Sequence, residues 1–211
     1  MNVLATLGIL SVSLREGGCG GKESSNAAQR HRSGCFRVSR RSRSSIRLGL
    51  VSASFNKVCG IEVFGQCQPL LEANTCQGNK WHGIAYGGSA GGTAQNNSFS
   101  ANEFSGIDVL DQAQPTLQAI TCKENQQSGI YVGGQAQPTL DANSCRKNTR
   151  DGIAFRGQAG GIALGNERSD NGEDGFCVIA FPTLTDNRCQ GNKGKDIKDY
   201  RRSFWQGLFG R

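Results

Sequence analysis

A repeat of 23 residues is the feature that most constrains how this chain can fold. Gly-Ile recurs at that interval from Gly60-Ile61 onward, and Gly175-Phe176 continues the series. Positions one repeat apart form columns, and one column holds asparagine in every unit: Asn56, Asn79, Asn102, Asn125, Asn148, Asn171 and Asn192. A two-residue deletion before Pro182 leaves the later columns in phase. So many columns in register indicate a solenoid, in which each unit buries its apolar face on its neighbours.

Within each unit, apolar and polar residues alternate over three short stretches that are separated by Gly, Pro and Asn. Alternation with a period of two predicts strands, and the intervening residues are typical of turns. A helical repeat would not tolerate this much glycine. Stacking the units about 4.8 Å apart pairs equivalent strands in parallel. The sequence therefore predicts an all-β fold, a right-handed parallel β-helix solenoid of 23-residue coils.

The charge divides the chain into parts. Residues 1–50 hold nine Lys and Arg against two Glu, whereas the remainder holds fifteen basic and fifteen acidic residues, so the net charge of +7 lies at the N-terminus. Residues 1–45 lack a period and are predicted to be a disordered basic tail. Residues 46–200 form the repeat domain, and 201–211 are predicted to cap it. Because the repeat domain is neutral, nucleic acid is not an expected partner except through the tail.

The nine cysteines favour free thiols. Four occupy one inward column (Cys76, Cys122, Cys145 and Cys189), which Phe99 and Arg168 interrupt. There is no Cys-x-x-Cys and there are only two histidines, so neither a metal site nor a cofactor is predicted. Free thiols favour a reducing compartment such as the cytoplasm, and no signal peptide or membrane span is evident. A monomer is expected.

Residues 112–117 and 135–140 both run Gln-Ala-Gln-Pro-Thr-Leu, one repeat apart. This unit resembles the right-handed parallel β-helix repeat proteins, which include carbohydrate-binding and sugar-hydrolase repeats, and the resemblance covers residues 46–200. It implies the fold firmly and the function loosely, since related arrays serve in both enzymes and adaptors.

No catalytic residues are predicted, because the outward acidic residues are scattered. Glu62 and Asp108 share a column but are separated by Ala85, and His82 has no evident acidic partner. Another group, near Arg150 and Asp151 of the preceding coil, is predicted to be a solvated loop: Asp170, Glu173 and Asp174.

The outer face instead carries regular columns of amides and hydroxyls that could bind sugar hydroxyls, with one aromatic ring nearby. These residues form the predicted ligand face: Gln66, Gln112, Gln135, Gln158, Gln114, Gln137, Thr116, Thr139 and Tyr131. The sequence favours a non-catalytic recognition or scaffold module for a carbohydrate or protein ligand. The alternatives are a polysaccharide lyase, hydrolase or epimerase, ice binding through the threonine column, and nucleic-acid binding by the tail.

Overall fold

The computed structural model describes residues 28–30, 35–40 and 46–199. These residues form strands and turns without any helix, so nothing in the described part is a long apolar helix that could cross a membrane. The predicted cap at 201–211 lies outside the described residues.

In chain order the strands of the described segments are β1 (Ala28–Arg30), β2 (Phe36–Arg40), β3 (Arg47–Gly49), β4 (Ile61–Gly65), β5 (Leu70–Glu72), β6 (Thr75–Gln77), β7 (Ile84–Tyr86), β8 (Thr93–Gln95), β9 (Ser98–Ser100), β10 (Ile107–Val109), β11 (Thr116–Gln118), β12 (Thr121–Lys123), β13 (Ile130–Val132), β14 (Thr139–Asp141), β15 (Ser144–Arg146), β16 (Ile153–Phe155), β17 (Ile162–Leu164), β18 (Glu167–Ser169), β19 (Phe176–Val178), β20 (Thr183–Thr185), β21 (Arg188–Gln190) and β22 (Ile197–Asp199).

In the described residues, three sheets wrap the core of the solenoid, and their strands are parallel except for β1. Sheet 1 has the order β1-β2-β4-β7-β10-β13-β16-β19-β22, sheet 2 runs from β3 to β20, and sheet 3 runs from β6 to β21. The register follows the repeat, as in the pairing of Ile107 with Ile130 and of Cys122 with Cys145. The predicted right-handed parallel β-helix is confirmed.

The core consists of the inward columns stacked on themselves. Ile107 and Ile130 of sheet 1 and Leu117 of sheet 2 are completely buried, as identical neighbours stacked in parallel strands should be. The inward cysteine column is confirmed, since its members at 76, 122 and 145 are buried. No disulfide bond joins the cysteines in the described part of the chain. Arg168 interrupts their column and is also buried, with its guanidinium carbon 3.7 Å from the ring centroid of Phe176.

The unbroken asparagine column forms a buried ladder of side-chain amides. Asn125 is representative: its Oδ1 accepts hydrogen bonds from the backbone N (3.1 Å) and Nδ2 (2.9 Å) of Asn102. Its Nδ2 donates to Oδ1 of Asn148 (3.0 Å) and to the carbonyl oxygen of Phe99 (3.2 Å). The ladder thereby satisfies buried polar groups at the bend between two sheets, as the sequence predicts.

The structure differs from the sequence prediction near the N-terminus. Strands β1 and β2 fall within residues 1–45, which the composition predicts to be disordered, and β2 pairs in parallel with β4. The reason is that Phe36 and Val38 alternate inward like the repeat columns and are buried. Strand β1 then covers the edge of β2 in antiparallel pairing, which protects that edge of the sheet.

Candidate functional site

The outer face carries a second amide ladder in the turn between sheets 1 and 2. Nε2 of Gln112 donates to Oε1 of Gln135 (3.4 Å), and Nε2 of Gln135 donates to Oε1 of Gln158 (3.1 Å). All three side chains are exposed. Each amide of this ladder therefore keeps hydrogen-bonding capacity that the ladder does not use.

One repeat interrupts this ladder and opens a groove of about 520 Å³. Where the neighbouring coils place Gln, Gln and Pro, this coil has Ser89, Gly91 and Gly92. Gly92 has a φ of +84°, and a Cβ there would collide with the carbonyl oxygen of Pro69, so larger residues are excluded. The groove is lined by Gln68, Ser89, Gly92, Thr93, Gln112, Gln114 and Thr116.

A hollow of about 340 Å³ adjoins this groove at Asp111. The Asp111 Oδ2 accepts a hydrogen bond from the backbone N of Gly88 at 2.7 Å, which fixes the carboxylate in the hollow. Ser89 and Gln112 line both the groove and the hollow. The two concavities therefore share one wall.

The groove brings together Gln112, Gln114 and Thr116 from the predicted ligand face, and Gln135 lines the hollow. The other predicted residues lie outside these linings: Gln66, Gln137, Gln158, Thr139 and Tyr131. Tyr131 is half-buried in the middle of β13 on sheet 1, so the glutamine turn separates it from the threonine column of sheet 2.

The prediction from regularity missed Ser89 and Gly92, which make the concavity. The signal was a break in regularity, since small residues replace the glutamine and proline of their columns.

A partly buried acid–imidazole pair lies on the outer side of sheet 1, and it corrects the prediction that His82 lacks an acidic partner. Nε2 of His82 is 3.5 Å from Oδ2 of Asp108. Burial lowers the pKa of His82 to about 4. Burial, together with the charge of Asp111, raises the pKa of Asp108 to about 7. The pair therefore combines a neutral imidazole with a carboxyl group that titrates near neutral pH.

A second polar cluster lies on the same side, where the sequence predicts a solvated loop. Asp170 and Glu173 are exposed as predicted, but Asp151 and Asp174 are buried beside Cys177. One donor atom from each of these three buried residues lies within 4.8 Å of the other two. The prediction was wrong for Asp174. This residue and Asp151 occupy the column just before the repeat glycine, and that column faces the middle residue of the next strand in sheet 1.

Comparison with known families agrees with this geometry. Residues 55–204 match the model of the "right handed beta helix region", which is more than half of the chain. The chain belongs to the right-handed β-helix family. A comparison with curated protein sequences finds no significant match.

Two solved structures resemble this β-helix, and both are modules of Azotobacter vinelandii mannuronan C-5 epimerases. The AlgE6 A-module is 16% identical with a TM-score of 0.63, over 72% of this chain and 49% of that one. The AlgE4 A-module is 15% identical with a TM-score of 0.54, over 74% of this chain and 56% of that one. The chain thus spans about half the length of these structures, and the likeness shows the fold alone.

Proposed function

We propose that this β-helix is a non-catalytic recognition module that binds a neutral polysaccharide in the groove at Ser89. The observation that supports this function is the interrupted glutamine ladder. The small residues Ser89 and Gly92 leave a groove there, and amides and hydroxyls line it. None of the residues that line the groove is charged. A concave surface with a few oriented polar groups is the usual form of a small-ligand site.

The ladder preorganises the amides for sugar hydroxyls. The bond between Gln112 and Gln135 orients both side chains, yet each keeps an N–H or a lone pair free to meet a pair of neighbouring hydroxyls. Successive amides are about 4.8 Å apart along the solenoid axis, which is roughly the length of one pyranose residue. A linear glycan lying along the axis can therefore meet one amide per sugar.

A glycan array with the full chain, followed by calorimetry on the best neutral polysaccharide, tests this function. Ser89→Gln restores the glutamine ladder and fills the groove. Because four other coils hold glutamine in this column, the variant is expected to fold. We expect binding to weaken at least about tenfold, or about 1.4 kcal/mol. The control is Ser144→Gln, which adds the same side chain on sheet 3, away from the groove, and should leave affinity unchanged.

The proposal would be rejected if the wild-type chain bound no neutral glycan on the array. It would also be rejected if the wild-type chain and Ser89→Gln bound the polysaccharide with equal affinity. Recovery of a protein ligand in place of a glycan would assign the groove to a scaffold role instead.

A second candidate function is turnover of a polyuronate, and the His82–Asp108 pair specifically favours it. A neutral imidazole can accept the C5 proton of a uronate. A protonated Asp108 beside it can donate a hydrogen bond to the substrate carboxylate and so stabilise the charge that develops there. The two epimerase modules with this fold, which are named for mannuronan, make that polymer the first substrate to try.

The assay incubates the full chain with mannuronan and follows C5 inversion by NMR and chain cleavage by ultraviolet absorbance. Under this second function, His82→Gln lowers turnover at least about a hundredfold, in line with the loss of a general base. Asp141→Asn, an acidic residue of β14 on sheet 2, is the matched control and keeps full activity. No turnover of any uronate polymer by the wild-type chain would exclude the enzyme.

A further inference from the structure

The buried cluster of Asp151, Asp174 and Cys177 has the chemistry of a metal site. Asp151 and Asp174 occupy adjacent places in the column before the repeat glycine, and Cys177 is the middle residue of β19. The solenoid therefore brings two carboxylates and one thiol together at one point of the outer face of sheet 1. Their donor atoms lie within 4.8 Å of one another.

The clearest sign of a missing partner is Oδ2 of Asp151. This residue has no exposed surface, and its Oδ2 receives no hydrogen bond from any part of the chain that the structure describes. Its other oxygen, Oδ1, accepts from the backbone N of Asp174 at 3.2 Å, which holds the carboxylate in place. A buried carboxylate oxygen without a hydrogen bond is costly, and a cation that it can coordinate would remove that cost.

Two flexible cations stand at the edge of the cluster. Nη2 of Arg156 is 3.8 Å from Oδ2 of Asp151 and 3.5 Å from Sγ of Cys177, and Nζ of Lys198 is 3.7 Å from Oδ2 of Asp174. Both side chains are about one-third or more exposed, so either can withdraw into solvent. The long contact of Arg156 marks a place where a positive charge is favoured but not well coordinated.

We propose that Asp151, Asp174 and Cys177 bind Zn²⁺ through two carboxylate oxygens and one thiolate. Zinc accepts oxygen and sulfur donors in tetrahedral geometry, and three protein ligands leave the fourth position for water. On binding, the Cys177 thiol releases its proton to solvent and Arg156 moves aside. The three anionic ligands then carry one negative charge more than the dication, and Lys198 remains beside Asp174 to balance it. This site is independent of the glycan groove.

The other coils on the outer face of sheet 1 lack this set of ligands, so among the described residues only Asp151, Asp174 and Cys177 are a candidate metal site. The column before the repeat glycine holds Ser105 and Ser128 in the middle coils, where no acid is available. The His82–Asp108 pair occupies the equivalent positions three coils earlier, about 14 Å away, but Ser105 takes the place of the third ligand. Within the described coils, only the pair at 151–177 supplies two acids and a thiol together.

The test titrates Co²⁺, a spectroscopic substitute for zinc, into the full chain after chelator treatment. We expect a thiolate-to-cobalt charge-transfer band with tetrahedral ligand-field bands, and their loss when Zn²⁺ is added. Cys177→Ala should abolish the charge-transfer band, and the alanine suits the fold because Ala154 holds the preceding place in this column. Asp151→Ser, which copies Ser128 of the previous coil, should weaken Co²⁺ binding at least about tenfold.

Cys67→Ala is the matched control, since this buried cysteine sits in a column that otherwise holds Ala90, Ala113, Ala136 and Ala159. It should leave the cobalt spectrum unchanged. Thermal unfolding gives a second readout, because zinc should raise the Tm of the wild-type chain and of Cys67→Ala but not that of Cys177→Ala. A wild-type chain that shows no thiolate–cobalt band, or a band that persists in Cys177→Ala, would overturn the assignment.

Discussion

The inner asparagine ladder and the outer glutamine ladder stack the same amide group at the same 23-residue interval. Inside, Asn125 is buried and its side chain takes part in four hydrogen bonds, two accepted and two donated. Outside, Gln135 is exposed and is joined to its neighbours by only two side-chain bonds, of 3.4 and 3.1 Å. The Asn125 amide has no hydrogen-bonding capacity left, whereas the outer amides keep donors and acceptors that a ligand can use.

This difference separates the inner amides, which specify the fold, from the outer amides, which can bind a ligand. A buried amide contributes to stability because its loss would leave partners unpaired in a dry environment. An exposed amide contributes little, because water replaces its partner. Each of the following experiments tests that contrast, beginning with the largest expected change in stability.

The strongest test removes one rung of the inner ladder. Asn125→Ala leaves the backbone N and Nδ2 of Asn102 and the carbonyl oxygen of Phe99 without their partner. We expect the free energy of unfolding to fall by about 3 kcal/mol, measured by urea denaturation. A loss below about 1 kcal/mol would mean that water enters the bend and that the ladder is not a dry structural element.

The next test concerns Arg168, a buried polar side chain that no ladder satisfies. Its Nη2 donates to the carbonyl oxygen of Arg188 at 2.7 Å, but its Nε and Nη1 make no hydrogen bond with the described residues. Arg168→Met keeps the long unbranched shape and removes the buried charge. We expect the free energy of unfolding to rise by about 2 kcal/mol. A decrease would show instead that the stacking on Phe176 outweighs the cost of burying the guanidinium.

The partly buried pair His82–Asp108 should show opposed pH dependences. The folded state raises the pKa of Asp108 to about 7, so its contribution to stability is present below pH 4 and is lost as the pH rises to about 7. The folded state lowers the pKa of His82 to about 4, so its contribution is present above pH 6.5 and is lost as the pH falls towards 4. In the wild-type chain, the two changes of unfolding free energy with pH largely cancel.

Asp108→Asn removes the pH dependence due to Asp108, so that only the pH dependence due to His82 remains. We expect this variant to gain stability relative to the wild-type chain as the pH rises from 4 to 7, by about 1 kcal/mol or more. Urea denaturation at several pH values measures the difference, and Asp141→Asn, at a half-buried acid of β14, serves as the control. A constant difference between Asp108→Asn and the wild-type chain over this range would contradict the elevated pKa.

The smallest effect is expected on the outer ladder. Gln135→Ala removes two exposed side-chain bonds and should change the free energy of unfolding by less than about 0.5 kcal/mol. Calorimetry with the neutral polysaccharide selected on the array should nevertheless show weaker binding by this variant. A stability loss as large as that of Asn125→Ala would erase the contrast between the two ladders.

The repeat alone determined the scaffold, because each column that recurs every 23 residues must occupy the same place in each coil. The inward Cys122 and Cys145, the asparagine bends and the parallel register all follow from that periodicity. Periodicity gave no signal for Phe36 and Val38, which precede the repeat and still join sheet 1. Their burial depends on an edge of β4 that only the folded solenoid presents.

The sites were decided by tertiary structure, because they join different columns of neighbouring coils. His82 meets Asp108 across 26 positions, and Asp151 meets Cys177 across the same 26, whereas a scan along one column compares residues 23 apart. Burial, which the sequence could not supply, then moves the pKa values of His82 and Asp108 and leaves Oδ2 of Asp151 without a hydrogen bond from the described residues. Periodicity specifies which residues stack, but only the wrapped chain determines which columns face each other and how much water reaches them.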